Sequence, residues 1–208
     1  MARYIDAVCR LCRRGGEKLF LKGTRCNTPK CAISKRAFAP GQHGQARQKL
    51  SNYGLQLKEK QKAKWMYGVL ERQFRRYFET ASKTKGVTGK VLLQLLERRL
   101  DNVVFRMGVG ISRAQSRQVV RHNFVYVNSK RVNIPSYSVK QGDIIQIKAK
   151  EKAQKKINDN LELSSERSVP SWLEFNRQEL KAKVVRLPEK EDIQQPIQEQ
   201  LIVELYSK

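Results

Sequence analysis

The chain has 208 residues, enough for one or two compact domains. Its 43 Lys and Arg against 19 Asp and Glu give a formal net charge of +24, which draws in polyanions and keeps copies of the chain apart. No apolar run nears the roughly 20 residues of a membrane span, and Met1-Ala2-Arg3-Tyr4-Ile5-Asp6 has no apolar signal core, so a cytoplasmic chain with no membrane partner is expected.

The charge is uneven. Residues 1–50, 51–100 and 101–158 each carry 12 basic side chains, against 2, 4 and 3 acidic ones, whereas residues 159–208 carry 7 against 10. Three quarters of the chain is thus a polycation suited to phosphate, and the last quarter suits contact with protein.

Residues 1–45 are organised by their cysteines. Cys9 and Cys12 form a C-x2-C pair, and after thirteen residues Cys26 and Cys31 form a C-x4-C pair. Zinc favours a tetrahedron of soft ligands, and a C-x2-C turn supplies two of them. Arg10, Arg13, Arg14, Arg25 and Lys30 crowd these thiols and favour their ionisation. Two disulfides compete with this reading but are disfavoured in the cytosol. A redox C-x2-C pair would leave Cys26 and Cys31 unused. The expectation is a zinc knuckle with one structural Zn2+, closed by four thiolates. His43, in the loop Pro40-Gly41-Gln42-His43-Gly44, is read as a loop or RNA-contact residue instead.

Residues 46–98 are expected to form a helical body. Residues 40–56 read as an exposed basic loop holding Arg47, Lys49 and Tyr53. Residues 57–80 read as a helix with Trp65, Val69, Leu70, Phe74, Tyr77 and Phe78 at helical spacing, weakened at Gly68. Lys58, Lys60, Lys62, Lys64, Arg72, Arg75 and Arg76 outnumber Glu59, Glu71 and Glu79, which favours phosphate contact. After a break at residues 83–89, Val91 to Val104 reads as a further helix with Glu97, Arg98, Arg99 and Asp101 on its polar side.

Residues 99–161 hold a capping box, Ser112 to Gln115, that opens a short helix bearing Arg113, Gln115, Arg117 and Arg121. Its first turn offers backbone N–H groups and arginines to a phosphate. Strands are expected over 124–127 and 144–148, with a turn at Asn128-Ser129-Lys130, giving short helices on a small twisted sheet. Arg113 and Arg117 are the strongest single candidates for phosphate contact. Tyr4, Tyr53 and Tyr126 are candidates to stack on bases. In the acidic segment 162–208, Trp172, Leu173, Phe175, Leu201, Ile202 and Leu205 are expected to pack back on the helical body. Glu174, Glu189, Glu191, Asp192 and Glu199 are then left for a neighbouring protein. The fold class is therefore α+β.

An enzyme is disfavoured, because no segment remains for a catalytic domain and His43 and His122 have no evident partners. A zinc-containing DNA regulator is also disfavoured, since dimerisation heptads are missing and basic residues cover three segments.

The stretch Arg99-Leu100-Asp101, Ser112-Arg113-Ala114-Gln115-Ser116-Arg117, Val127-Asn128, Val139 and Gly142-Asp143-Ile144-Ile145 resembles the S-four RNA-binding domain, although that family usually has Asn-Gly where Asn128-Ser129 stands. The flanks Met1-Ala2-Arg3-Tyr4, Lys18-Leu19-Phe20-Leu21-Lys22, Pro40 to Gly44, Tyr53 to Lys62, Tyr67 to Arg75 and Leu201 to Lys208 are similar to the bacterial small ribosomal subunit protein S-four family, end to end. The four cysteines match its zinc-binding form.

This resemblance implies a ribosome-bound structural protein. It would bind small-subunit ribosomal RNA early, nucleate assembly of the five-prime domain and contribute to translational accuracy. The S-five protein would be its neighbour, and messenger RNA would pass near Arg47 and Lys49 where it enters the subunit. No small-molecule substrate is implied and no residue is read as catalytic. The candidate RNA contacts are Arg3, Tyr4, Arg10, Arg13, Arg14 and Lys22 in the cysteine segment. In the body they are His43, Arg47, Lys49, Tyr53, Lys58, Lys62, Arg72, Arg75 and Arg76. In the RNA-binding domain they are Arg113, Gln115, Arg117, Arg121, Lys130 and Arg131.

Overall fold

The computed structural model describes residues 3–46, 49–165, 167–193 and 197–207. These divide into two units, Met1–Leu92 with Gln195–Lys208, and Leu93–Gln194. In chain order the helices are α1 (Cys9–Gly15), α2 (Ala32–Lys35), α3 (Asn52–Met66), α4 (Glu71–Lys83), α5 (Thr88–Glu97), α6 (Leu100–Arg106), α7 (Arg113–Arg121), α8 (Glu151–Leu163) and α9 (Glu199–Tyr206). The strands are β1 (Val125–Val127), β2 (Lys130–Arg131), β3 (Ile144–Ile147), β4 (Leu173–Asn176) and β5 (Lys181–Val184).

In the first unit, the stretch expected as one helix over 57–80 is two. Gly68 has φ +62°, a left-handed conformation that ends a helix and that glycine adopts without a side-chain clash. So α3 stops at Met66 and α4 starts at Glu71. The first of these helices also begins earlier than expected, because the Ser51 side chain accepts from the Gly54 N–H at 3.2 Å and caps it.

The inward face of α3 is polar, with Gln56, Glu59 and Lys62 buried beside Ala63 and Met66. Partners from elsewhere in the unit make that tolerable. Gln56 Nε2 donates to Glu204 Oε2 at 2.9 Å, and the Gln198 N–H donates to Glu59 Oε1 at 2.7 Å. Lys62 Nζ lies 3.1 Å from Glu59 and 3.3 Å from Glu17. On the neighbouring surface, a Cβ at Gly89 would sit 2.6 Å from Glu199 Cγ, so only glycine lets α5 approach α9 here. The Tyr206 ring stacks on Phe78 at 4.5 Å, and its hydroxyl donates to Glu71 at 3.0 Å. Burial alone would raise the Glu71 pKa, but Lys60, Lys64 and this hydroxyl outweigh it and bring it to about 2. Burial, then the same carboxylate, push the Tyr206 phenol up.

The second unit is built on a five-stranded antiparallel sheet of order β2-β1-β3-β5-β4. Val125, Val127, Ile145, Ile147, Ala182, Val184 and Leu173 point to its buried face and pack with Leu100, Val103, Val104, Val120, Ile157 and Trp172. The helix expected from Val91 to Val104 is broken at Arg99, whose backbone is extended (φ −65°, ψ 134°) and bridges Ser138. The 135–139 loop supplies the reason. Leu100 N–H donates to Tyr137 O at 2.8 Å, and Val139 N–H donates to Arg98 O at 3.0 Å.

That break carries buried charge where a solvated polar side was expected. Glu97 is 1 % exposed, and it accepts from Arg106 at 2.7 and 3.1 Å and from Asn102 Nδ2 at 2.6 Å. Arg99, also 1 % exposed, grips Asp101 with two bonds of 3.1 and 2.7 Å. The Arg113 and Arg167 guanidiniums lie 4.6 and 4.5 Å from the Phe105 ring centroid.

The hairpin turn between β1 and β2 has Asn128 at φ 47° and Ser129 at φ 66°. Both are left-handed, as a two-residue turn of this kind requires. Asn128 is held there, since its Nδ2 donates to Asp143 at 2.8 Å and its Oδ1 accepts from the Ile144 N–H at 2.9 Å. Ser129 is exposed. Replacing it with glycine, Ser129→Gly, is expected to stabilise the unit by about 0.5–1 kcal/mol. The check is a higher denaturant midpoint at unchanged slope.

The C-terminal segment is shared between the units. Residues 173–184 extend the sheet, and Trp172, fully buried, is part of the second unit's core. Among the apolar residues expected to pack on the helical body, those of α9 do so, with α9 lying against α3 and Ile202 fully buried.

Candidate nucleic-acid interface and cysteine cluster

In the first unit, Arg3, Arg10, Arg14, Lys22, His43, Lys49, Lys58, Arg72 and Arg76 all face solvent. So do Tyr4 and Tyr53, the latter 57 % exposed. Arg75 is exposed and pairs with Glu79 at 3.3 Å. Arg47 lies outside the described residues. Two other candidates are committed inside the unit. Lys62 is buried against Glu59 and Glu17, so it is a structural ion pair. Arg13 donates to the carbonyls of Phe38 at 3.0 Å and Ala39 at 3.3 Å and lies over the Phe38 ring, pinning the following loop.

In the second unit, Arg121, Lys130 and Arg131 are exposed. The two arginines singled out on α7 are half-buried and already engaged. Arg117 Nη1 lies 3.1 Å from Asp101 Oδ2. Arg113 Nε donates to Asn102 Oδ1 at 2.8 Å. Each is anchored by internal bonds, a setting in which a guanidinium loses little freedom on meeting a phosphate. Gln115 is half-buried as a cap: its Oε1 accepts from the Ile111 N–H at 2.8 Å, while its own N–H donates to Ser112 Oγ at 3.3 Å. The capping box is therefore present with its return bond shifted one residue back.

Further cations went unremarked in the sequence. Lys148, Lys150, Lys152, Lys155 and Lys156 are exposed from the end of β3 into α8, and Lys181 and Lys183 are exposed on β5. The alternation Lys181-Ala182-Lys183-Val184 is a period-two signal that identifies a strand with one wet face.

The cysteines come together. Cys9, Cys12, Cys26 and Cys31 line one small pocket of about 10 Å³, with Val8, Leu21, Lys22, Ala32 and Ile33. That is room for about one water-sized sphere. The Lys22 N–H donates to Cys26 Sγ at 3.4 Å. Burial pushes the Cys12 and Cys26 thiols up despite backbone hydrogen bonds from Leu19 and Lys22. At Cys31 burial acts the same way, but the N–H groups of Ile33 and Ser34, the Ser34 side chain and Lys18 prevail and lower it. The cation acting on Cys26 and Cys31 is thus Lys18, where the sequence points to Arg10, Arg13, Arg14, Arg25 and Lys30. The donor set suits a soft divalent ion. Among the described residues, however, no three His, Cys, Asp or Glu side chains stand at metal-holding spacing.

Comparison with known proteins gives two family models, whose boundary lies five residues past that of the two units. Residues 3–97 match the family model of the ribosomal protein S4/S9 N-terminal domain, and residues 98–145 match the S4 domain. The small ribosomal subunit protein uS4 of Acetivibrio thermocellus is 62 % identical over 208 residues, covering all of both chains. Those of Thermodesulfovibrio yellowstonii and Pelotomaculum thermopropionicum are 60 % and 58 % identical over the same full length. The chain belongs to the uS4 family. In uS4 terms, the boundary between the two family models falls at the end of α5, just before the extended Arg99 backbone interrupts the helix. The S4 domain contains α6, α7, β1 and β2.

Proposed function

We propose that the chain is a structural, non-catalytic constituent of the small ribosomal subunit that binds small-subunit ribosomal RNA. The observation that carries this is full-length identity of about 60 % to proteins named small ribosomal subunit protein uS4. The physical setting supports it: exposed cations occupy both units, and no helix among the described residues is long and apolar enough to cross a membrane. RNA helices hide their base edges, so binding proceeds through shape and phosphate. Several basic surfaces engaging one folded RNA gain from effective concentration.

The finer reading is that binding occurs early, at the five-prime domain, and nucleates assembly in the cytoplasm. An S-five-type neighbour meets the acidic surface, and messenger RNA passes near Arg47 and Lys49 to influence accuracy. Two of the acidic candidates fit that surface better than a third. Glu189 and Glu191 are exposed, whereas Asp192 is turned inward onto Arg186 at 2.7 and 2.8 Å and Ser171 at 2.9 Å.

The N-terminal segment is read as the zinc-binding form of the family. Cys9, Cys12, Cys26 and Cys31 would hold one Zn2+, which when bound ties together a segment with little apolar core. The test of the RNA reading is a direct competition between structured small-subunit ribosomal RNA and duplex DNA at equal phosphate concentration. Preference for the RNA is expected. Preference for the DNA would overturn the reading in favour of a DNA regulator.

A further inference from the structure

The sheet of the second unit is covered on one face and bare on the other. On the bare face the register aligns Arg131, Tyr126, Gln146 and Lys181 across four strands, with Ile144, Lys183 and Glu174 in the adjacent row. Lys148 joins this face, its ammonium 5.0 Å from the Tyr126 ring centroid. Ile144 is 38 % exposed, though it lies within the sheet. An open trough of about 510 Å³ runs over Ile144, Glu174, Phe175, Asn176, Lys181 and Lys183.

We propose that this bare sheet face is a second RNA-binding surface that takes a single-stranded segment of ribosomal RNA. The proposal rests on the RNA-binding reading above and goes beyond it: Arg131, Tyr126 and the motif residue Ile144 share this face with Lys148, Lys181, Lys183 and Glu174, which belong neither to the motif nor to the candidate RNA contacts. Charge chooses the occupant. Four cations, Arg131, Lys148, Lys181 and Lys183, face one carboxylate, Glu174, so the face matches a polyanion better than a protein surface of mixed sign. Shape chooses the form of RNA. A five-stranded sheet cannot enter the deep, narrow major groove of an RNA helix, but its open face can carry an unpaired strand whose bases lie flat on apolar or aromatic side chains. Lys181 and Lys183 project from the same face about 7 Å apart, a spacing along which one extended strand can present successive phosphates. Ile144 and Tyr126 supply the apolar ground between the cations.

The experiment is a binding titration of the full chain on naked small-subunit ribosomal RNA across a salt series. The variants are Lys181→Gln/Lys183→Gln, Lys181→Glu/Lys183→Glu and Glu174→Gln. All three positions are exposed, and circular dichroism verifies folding. The expected result is that the glutamine pair lowers the slope of log K against log salt by about 1.4–2 and weakens binding roughly ten-fold. The glutamate pair should weaken it further, and Glu174→Gln should tighten it, an opposite sign that a merely structural role would not produce. An unchanged slope and affinity in all three variants, with the parent chain binding normally, would overturn the proposal. That result would reassign the face to a protein partner. Failure of the parent chain to bind would instead overturn the RNA reading itself.

Discussion

On the zinc reading, treatment with a chelator is expected to unfold residues 1–45 and leave residues 99–148 protected from protease. The N-terminal segment has few other sources of stability. Most of its residues are exposed, and its buried apolar set is little more than Leu19, Ile33 and three of the cysteines themselves. Its two α-helices and one 3-10 helix have seven, four and five residues, too short to persist alone. A structural zinc site contributes on the order of 10–16 kcal/mol of apparent binding energy, far more than this burial supplies. One zinc per chain should be released on denaturation, and Cys12→Ser should reproduce the chelated state. Ribosomal RNA affinity should fall in both, because Arg10, Arg14 and Lys22 lose their fixed positions. Unchanged protease protection of residues 1–45 after chelation would contradict the metal reading.

The second large effect is expected at Glu97. Its carboxylate accepts three bonds, two from Arg106 and one from the Asn102 side chain. Glu97→Ala would leave the Arg106 guanidinium, 6 % exposed, buried without its counter-ion. Losses of this kind run to about 3–5 kcal/mol, a large share of the stability of a typical domain. Replacing both charges with apolar residues of similar volume, Glu97→Leu with Arg106→Met, should recover most of the loss, since the pair's attraction is largely offset by its desolvation. Denaturant unfolding of the two variants makes the comparison. Equal destabilisation of both would show that the carboxylate does more than balance Arg106.

The helical character of residues 57–80, the strands at 124–127 and 144–148 and the α7 cap could be read from periodicity and capping chemistry, because those signals are local. What could not be read is where local signals meet long-range partners. Glu97, Arg99 and Asp101 look like a solvated stripe, yet they are buried because the 135–139 loop opens the helix and Arg106, Arg117 and Asn102 supply counter-groups. Lys62 looks like a phosphate contact until Glu17, far away in sequence, closes over it. The sheet strands within 162–208 are masked by the segment's net acidity, which suggests a docking tail, although Lys181-Ala182-Lys183-Val184 alternates with period two. For the candidate site, the outward cations of the first unit follow from composition. The half-buried state of Arg113 and Arg117 does not, since it depends on Phe105 and Asp101 lying one helix away.

The most direct test of the account is a titration of the chain, with zinc added, on naked small-subunit ribosomal RNA across a salt series, with transfer RNA as competitor. The account predicts tight binding that survives the competitor and weakens steeply with salt, by several powers of ten for six to ten phosphate contacts between about 50 and 200 mM. Binding that transfer RNA abolishes would contradict it, because net charge alone would then explain the affinity.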